Sequence, residues 1–465
     1  MLNRLTLTQM AAELRSGRAS CQETVEAHLR QIDAQNPRIN AFVSIFAEEA
    51  RAAAKAADEA RVHQRTLGPL HGVPLTIKDS FDVAGQPTYC GSRLRLDHRA
   101  AKDSTSAARL RAAGAILLGK TNCPEFLYNY ETDNYIAGRT NNPWDVTRTS
   151  GGSSGGEAAA IASFCSAGGM GSDGGGSIRV PAHFCGIAGL KPTPGRVPAT
   201  GHFPLIAHPG GLLGVGGPMA RTAEDVRLLF QVTAGHDDQD PFSAPVPLRP
   251  AELAGLKIGL MERFNGVPVQ PAITQAVDAA GRVLEALGFA VEPFEPRGIE
   301  RAPGLWWFFF GEVAAPFIKK MIAGRERDVH WTGMELVGLA FEKPAPTMEQ
   351  VIENLGARDA MRAALLRQLR DHLVILLPAC GVAAFPHRSR RWAAGEKEIG
   401  LFEAMTPLTF SNLLGLPALV IPFGRTEEGL PVGVQLVAAP YGEELLLDLA
   451  VRMEEARGPF AGPRV

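Results

Sequence analysis

Two short segments set serines among glycines: Ser150-Gly151-Gly152-Ser153-Ser154-Gly155-Gly156, and Asp173-Gly174-Gly175-Gly176-Ser177-Ile178-Arg179-Val180-Pro181. Glycine at this density is unfavourable in helices and strands, because it loses the most backbone freedom on folding, so it marks backbone shaped for close approach. A serine there is a candidate nucleophile, and it needs a base. The usual base is histidine, but no Gly-x-Ser-x-Gly elbow with a matching His and Asp partner surrounds Ser153 or Ser177. The alternative is a lysine stripped of water, whose reference pKa of about 10.4 must fall by several units to leave a neutral amine near pH 7. Lys78 ends the apolar run Gly72-Val73-Pro74-Leu75-Thr76-Ile77, where burial would favour that neutral form. From residue chemistry alone, an ordinary ion pair between Lys78 and Asp79 is an equal reading.

Two other patterns match motifs without the context those motifs need. Gly114-Ala115-Ile116-Leu117-Leu118-Gly119-Lys120-Thr121 fits the phosphate-loop spacing, but its filling is a buried-strand run and Pro124 follows closely. Gly169-Met170-Gly171-Ser172-Asp173-Gly174 fits the dinucleotide spacing. An alanine-rich helical run precedes it where a strand is required, and no acidic residue follows at ribose distance. The eleven histidines form no pair at metal-ligand spacing, and the six cysteines form no Cys-x-x-Cys. No metal site is expected, and the thiols read as reduced and structural.

The chain has 465 residues, 45% hydrophobic and 21% charged, with a net charge of −2. Such a balance suits a globular protein with a sizeable core and offers no basic field for nucleic acid. The amino terminus lacks the apolar block of a secretory signal, and no apolar run reaches the 18 to 20 residues of a membrane span. A cytoplasmic location without stable membrane insertion is expected.

The elements that must position these residues alternate between strand and helix, which predicts an α/β fold. Residues 1–65 read as helices, over Leu5 to Leu14, Cys21 to Asp33 and Phe46 to His63. Val73 to Ile77 and Ala115 to Leu118 read as buried strands within a core spanning 66–235. Leu256 to Leu260, the amphipathic run Gln270 to Leu287 and Phe289-Ala290-Val291 form a βαβ pattern that opens a second half over 255–465. Within it, 296–400 reads as a helical insertion containing Trp306-Trp307-Phe308-Phe309-Phe310. Five consecutive aromatics are rarely left on a surface, so they line a pocket, a core, an oligomer contact or a membrane-facing patch.

These segments together resemble the amidase signature family. The match covers nearly the whole chain: the two glycine and serine segments, Gly72 to Asp79, Gly119-Lys120-Thr121-Asn122-Cys123-Pro124-Glu125, Thr140-Asn141-Asn142-Pro143-Trp144, Gly189-Leu190-Lys191-Pro192-Thr193 and Gly429-Leu430-Pro431-Val432-Gly433-Val434-Gln435. The resemblance implies one large domain over 1–465, with a mixed twisted sheet covered by helices on both faces. It implies a Ser-cisSer-Lys triad on Ser177, Ser153 and Lys78, with a cis peptide before Ser153. Ser177 would be the nucleophile, Ser153 the proton relay, and the N–H groups of Gly174, Gly175, Gly176 and Ser177 the oxyanion hole. Around them Ser154 would hydrogen-bond near Lys78 or serve internally, and Asp173 and Arg179 would pair to fix the loop. Asp79 would orient backbone. Leu127, Tyr128 and Tyr130 would line an acyl pocket or pack in the core.

The activity implied is an acyl-enzyme amidohydrolase needing no cofactor, acting as a monomer or homodimer on a small apolar or aryl amide, ester or carbamate. One alternative is a glutamine-hydrolysing amidotransferase A subunit working in a complex. Relatives of that type hold glutamine with adjacent arginines on a glycine-rich turn, and 323–360 has no such segment; Gly324-Arg325-Glu326-Arg327 does not fit. A non-catalytic family member is the other alternative, against which Lys78, Ser153 and Ser177 all stand.

Overall fold

The computed structural model describes residues 1–63, 67–206 and 212–464. Among them, strands run in chain order as β1 (Phe42–Ile45), β2 (Pro74–Lys78), β3 (Ile116–Thr121), β4 (Gly168–Asp173), β5 (Ala188–Lys191), β6 (Val215–Ala220), β7 (Lys257–Leu260), β8 (Ala290–Pro293), β9 (Val374–Pro378), β10 (Arg391–Ala394), β11 (Lys397–Gly400), β12 (Ala418–Arg425) and β13 (Pro431–Ala438). Strands β10 and β11 form a separate hairpin. The other eleven form one mixed sheet in the order β1-β3-β2-β4-β6-β5-β12-β13-β9-β7-β8.

Side chains alternate across a strand, so adjacent residues report opposite faces of the sheet. On β12, Leu419 and Ile421 join one apolar cluster with the helices Ala223–Thr233, Pro271–Ala286 and Glu443–Arg457. Val420, between them, joins a second cluster with the helices Gly155–Ala162 and Arg179–Cys185. Helices therefore cover both faces. Because every residue of β2, β3, β4 and β6 is buried, these strands read as near-continuous small or apolar runs and lack alternation.

The helix at the amino-terminal side of β4 starts beside Ser154, and the helix after β4 starts at Arg179. The second glycine segment is thus a strand-helix junction, and the first leads from a loop into the helix that precedes β4. Parallel pairing of β2 with β4 through Thr76↔Gly169 and Ile77↔Met170 brings Lys78 beside the end of β4.

Two expectations change, and a third lies outside the described residues. The amino-terminal segment is not wholly helical, because Phe42–Ile45 forms the edge strand β1, antiparallel to β3. The expected boundary at residues 65 and 66 lies outside the described residues. The helical insertion ends at Gln368: Val374–Pro378 is a fully buried strand between β13 and β7, and 391–400 is the hairpin. No helix among the described residues is long and apolar enough to cross a membrane.

Candidate active site

Lys78 is the last residue of β2 and is fully buried. Its Nζ donates to three hydroxyls, Ser153 Oγ at 2.7 Å, Ser154 Oγ at 3.0 Å and Ser172 Oγ at 3.0 Å. Among the described residues no carboxylate makes an ion pair with it. Asp79 turns away to Lys120, at 2.8 Å, and accepts the N–H groups of Tyr89 and Cys90. The Lys78–Asp79 pair is therefore absent, and Lys120 of the phosphate-loop pattern is a buried structural cation that also holds Pro87 O and Thr88 Oγ1. Burial without a paired carboxylate lowers the Lys78 pKa to about 8. A neutral amine keeps only two N–H donors, so one of its three hydroxyl neighbours must point a proton at the free lone pair. The closest is Ser153.

Ser153 follows a cis peptide from Gly152. Space fixes glycine nearby: a Cβ on Gly152 would lie 2.6 Å from Asn129 O, and Gly151 adopts a φ of +84°. The N–H of Ser154 donates to Ser177 O at 3.0 Å, which ties the two serine segments together. Ser177 is half-buried, and its hydroxyl has no hydrogen-bond partner among the described residues.

Between β4 and Ser177 the backbone turns through Gly174, Gly175 and Gly176, the last at a φ of +119°. Asp173 anchors this turn. Burial opposes its ionisation, but the Arg179 guanidinium, bound at 2.9 and 3.0 Å, together with Lys191 and Asn412, holds its carboxyl well below the usual range. Arg179, also fully buried, spends its remaining donors on Leu408 O, Ser411, Asn412 and Gln435. The Asp173–Arg179 ion pair is present and fully buried.

One expected donor is not free. The N–H of Gly176 donates to Asp173 Oδ1 at 2.7 Å, because the carboxylate caps the turn from inside. The N–H groups of Gly174, Gly175 and Ser177 have no partner among the described residues.

The aromatic run bends over this turn. Trp306 lies in the last turn of the short helix Ala302–Trp307, and a π-helical turn over Phe308–Glu312 brings Phe310 back onto it, with ring centroids 4.7 Å apart and planes 17° from parallel. The Phe310 ring lies beside Gly174 and the Trp306 ring beside Gly175, where a Cβ would meet them at 3.2 and 2.3 Å. Tyr128 packs on Phe310 at 4.8 Å, and half-buried Leu127 precedes it. Tyr130 is instead buried, its hydroxyl donating to Gly175 O at 2.8 Å, so it supports the loop and does not line an open pocket.

Three contributors carried no sequence signal of their own. Ser172 is the third hydroxyl on Lys78. Glu157 receives Thr76 and Thr121 at 2.5 and 2.6 Å one layer beneath Lys78, and burial raises its pKa to about 7. Asn412 binds Asp173 from a helix more than two hundred residues away in sequence. Among the described residues no group of three or more His, Cys, Asp or Glu side chains could hold a metal ion; His183, between Val382 O and Gly433, is structural.

Known proteins resemble this chain over nearly its whole length. The family model described as Amidase matches residues 23–447. The indoleacetamide hydrolase of Bradyrhizobium diazoefficiens is 36% identical over 463 residues, covering 97% of this chain and 86% of its own. The A subunit of glutamyl-tRNA(Gln) amidotransferase from Chloroflexus aurantiacus is 37% identical over 471 residues, covering 96% and 95%. The crystal structure of a bacterial aryl acylamidase of the amidase signature enzymes superposes with a TM-score of 0.88 at 26% identity, covering 98% and 96%.

Proposed function

The chain belongs to the amidase family, hydrolases of carbon–nitrogen bonds other than peptide bonds, and from that premise we propose that it cleaves small apolar or aryl amides with Ser177 as nucleophile. The observation that carries this reading is Lys78: a buried amine with three hydroxyl neighbours, no paired carboxylate, and Ser153 nearest at 2.7 Å.

In the proposed sequence, neutral Lys78 Nζ takes the Ser153 proton while Ser153 Oγ takes that of Ser177, whose oxygen attacks the amide carbon. The developing oxyanion is met by the N–H groups of Gly174, Gly175 and Ser177, each such donor being worth about 3 to 4 kcal/mol. Ser153 passes its proton to the leaving nitrogen and regains one from Lys78, which becomes neutral again; the C–N bond breaks, and an acyl ester on Ser177 remains. Water enters along the same path, its proton passing to Ser153 as Ser153 gives its own to Lys78, and its oxygen adds to the acyl carbon; the ester C–O bond then breaks, Ser177 takes a proton back through Ser153 from Lys78, and the acid departs.

A flat apolar group suits the half-buried rings of Phe310 and Tyr128 beside Gly174, with buried Trp306 stacked behind Phe310. Two relatives are named for an indole-bearing amide and for aryl acylamides, which supports the same class. Esters and carbamates would meet the same nucleophile. The amidotransferase relative names the competing substrate, glutamine.

A panel of primary amides, anilides, esters, carbamates and glutamine tests the reading. Turnover of aryl or apolar amides without metal or nucleotide is expected, together with loss of all turnover in Ser177→Ala. Glutamine as the sole substrate would favour the amidotransferase reading, and turnover retained in Ser177→Ala would overturn the nucleophile.

A further inference from the structure

A planar trans peptide carries its carbonyl and the following N–H on opposite sides, so a group that fixes the carbonyl also fixes where that N–H points. Three successive carbonyls at the end of β4 are each fixed by a side-chain donor. Asn412 Nδ2 holds Asp173 O at 3.2 Å, Trp306 Nε1 holds Gly174 O at 2.8 Å, and the Tyr130 hydroxyl holds Gly175 O at 2.8 Å. The paired N–H groups are those of Gly174, Gly175 and Gly176 in turn. That of Gly176 is spent on Asp173. Trp306 therefore controls the peptide whose N–H, on Gly175, has no partner among the described residues.

We infer that Trp306 is a positioning residue for the Gly175 N–H, so that the helical insertion acts on the chemistry of the nucleophile loop as well as on substrate fit. The inference rests on the proposal that Ser177 attacks and the oxyanion forms at this loop. Glycine has no side chain with which to resist rotation of its peptide. The indole supplies that resistance twice, by its hydrogen bond and by the flat ring packed so closely that a Cβ on Gly175 would lie 2.3 Å from it. Turning the 174–175 peptide would strand the Gly174 carbonyl without its partner. Donation to that carbonyl also polarises the peptide, which strengthens the N–H at its far end. Trp306 is only 2% exposed and stacks on Phe310, so its own position is set by packing.

Trp306→Phe keeps a ring and deletes the N–H. With the full-length protein and an amide it turns over, kcat is expected to fall on the order of tenfold, a fraction of what loss of a whole oxyanion donor costs, while KM changes by less than about threefold. Affinity for a boronic acid that forms a tetrahedral anion on the serine should fall by the same factor as kcat. Trp306→His can place Nε2–H where the indole nitrogen stands and should restore most of the lost kcat; it also carries the test if the Phe variant does not fold. Tyr130→Phe removes a comparable donor from the next carbonyl, whose peptide serves Asp173, and should cost kcat several-fold less. Equal losses in Trp306→Phe and Tyr130→Phe, a rise in KM with kcat unchanged, or failure of the His variant to recover kcat would overturn the inference. Wild-type kcat in Trp306→Phe overturns it alone, whereas activity retained in Ser177→Ala overturns the proposed function beneath it.

Discussion

The strands that hold Lys78 and Asp173 and the helices that carry Trp306 meet at one loop but are built differently. In β2 and β4 every residue is buried, and each polar side chain there has a hydrogen-bonded partner: Thr76 with Glu157, Lys78 with Ser172 and Ser153, Asp173 with Arg179. The helices from Ala302 to Gln368 leave Phe317 70% exposed, Met348 73% and Ile352 62%. A region in which each buried polar group is held by another tolerates few substitutions, because removing one partner strands the next. A region with one packed edge and one open edge can vary while still delivering a few contacts inward. Under the proposed mechanism the strands hold the reacting groups and the helices bear on the choice of acyl group, with Trp306 and Phe310 as the place where the second touches the first.

Substitutions on the two sides test that contrast. The largest effect is expected at Lys78: Lys78→Ala should lower kcat/KM by roughly 10² to 10⁴, the usual contribution of a general base, with an unchanged circular dichroism spectrum. Asp173→Asn should cost stability, about 3 to 5 kcal/mol in urea unfolding, since it leaves the Arg179 charge buried without its partner. A smaller loss would mean that Ser411, Asn412 and Gln435 carry the guanidinium unaided. Next is the pH dependence. The proposed mechanism uses Lys78 as a neutral amine, and burial lowers its pKa to about 8, so kcat/KM should fall about tenfold per unit as pH drops below 8 and level off above it. That limb should vanish from the residual activity of Lys78→Ala. The smallest effect belongs to the open edge: Phe317→Ser should change stability by no more than about 0.5 kcal/mol and leave kcat alone. A large loss there would erase the distinction between the two regions.

The same contrast explains what could be seen in the chain itself. Lys78, Ser153, Ser177, Asp173 and Arg179 stand in contiguous motifs that the family resemblance singled out, residue chemistry alone having left Lys78 open to pairing with Asp79, and the structure places all five around the neighbouring ends of β2 and β4. Strand β9 was hidden because five apolar residues following a long helix have no period of their own. Strand β1 was hidden by its length of four residues between two helices. The commitment of Gly176 to Asp173 depends on which way a peptide faces, and glycine gives no side chain from which to read it. The tie from Trp306 to Gly174 spans 132 residues, joining a motif to a segment that has none.

The central claim is that the alcohol at position 177, activated through Ser153 by Lys78, forms the acyl-enzyme. Labelling the native protein with a fluorophosphonate and mapping the adduct by mass spectrometry tests it most directly. A single adduct on the peptide carrying Ser177, slowed in Lys78→Ala, is the result expected. An adduct on Ser153 or Ser154, or labelling at an undiminished rate without Lys78, would contradict it.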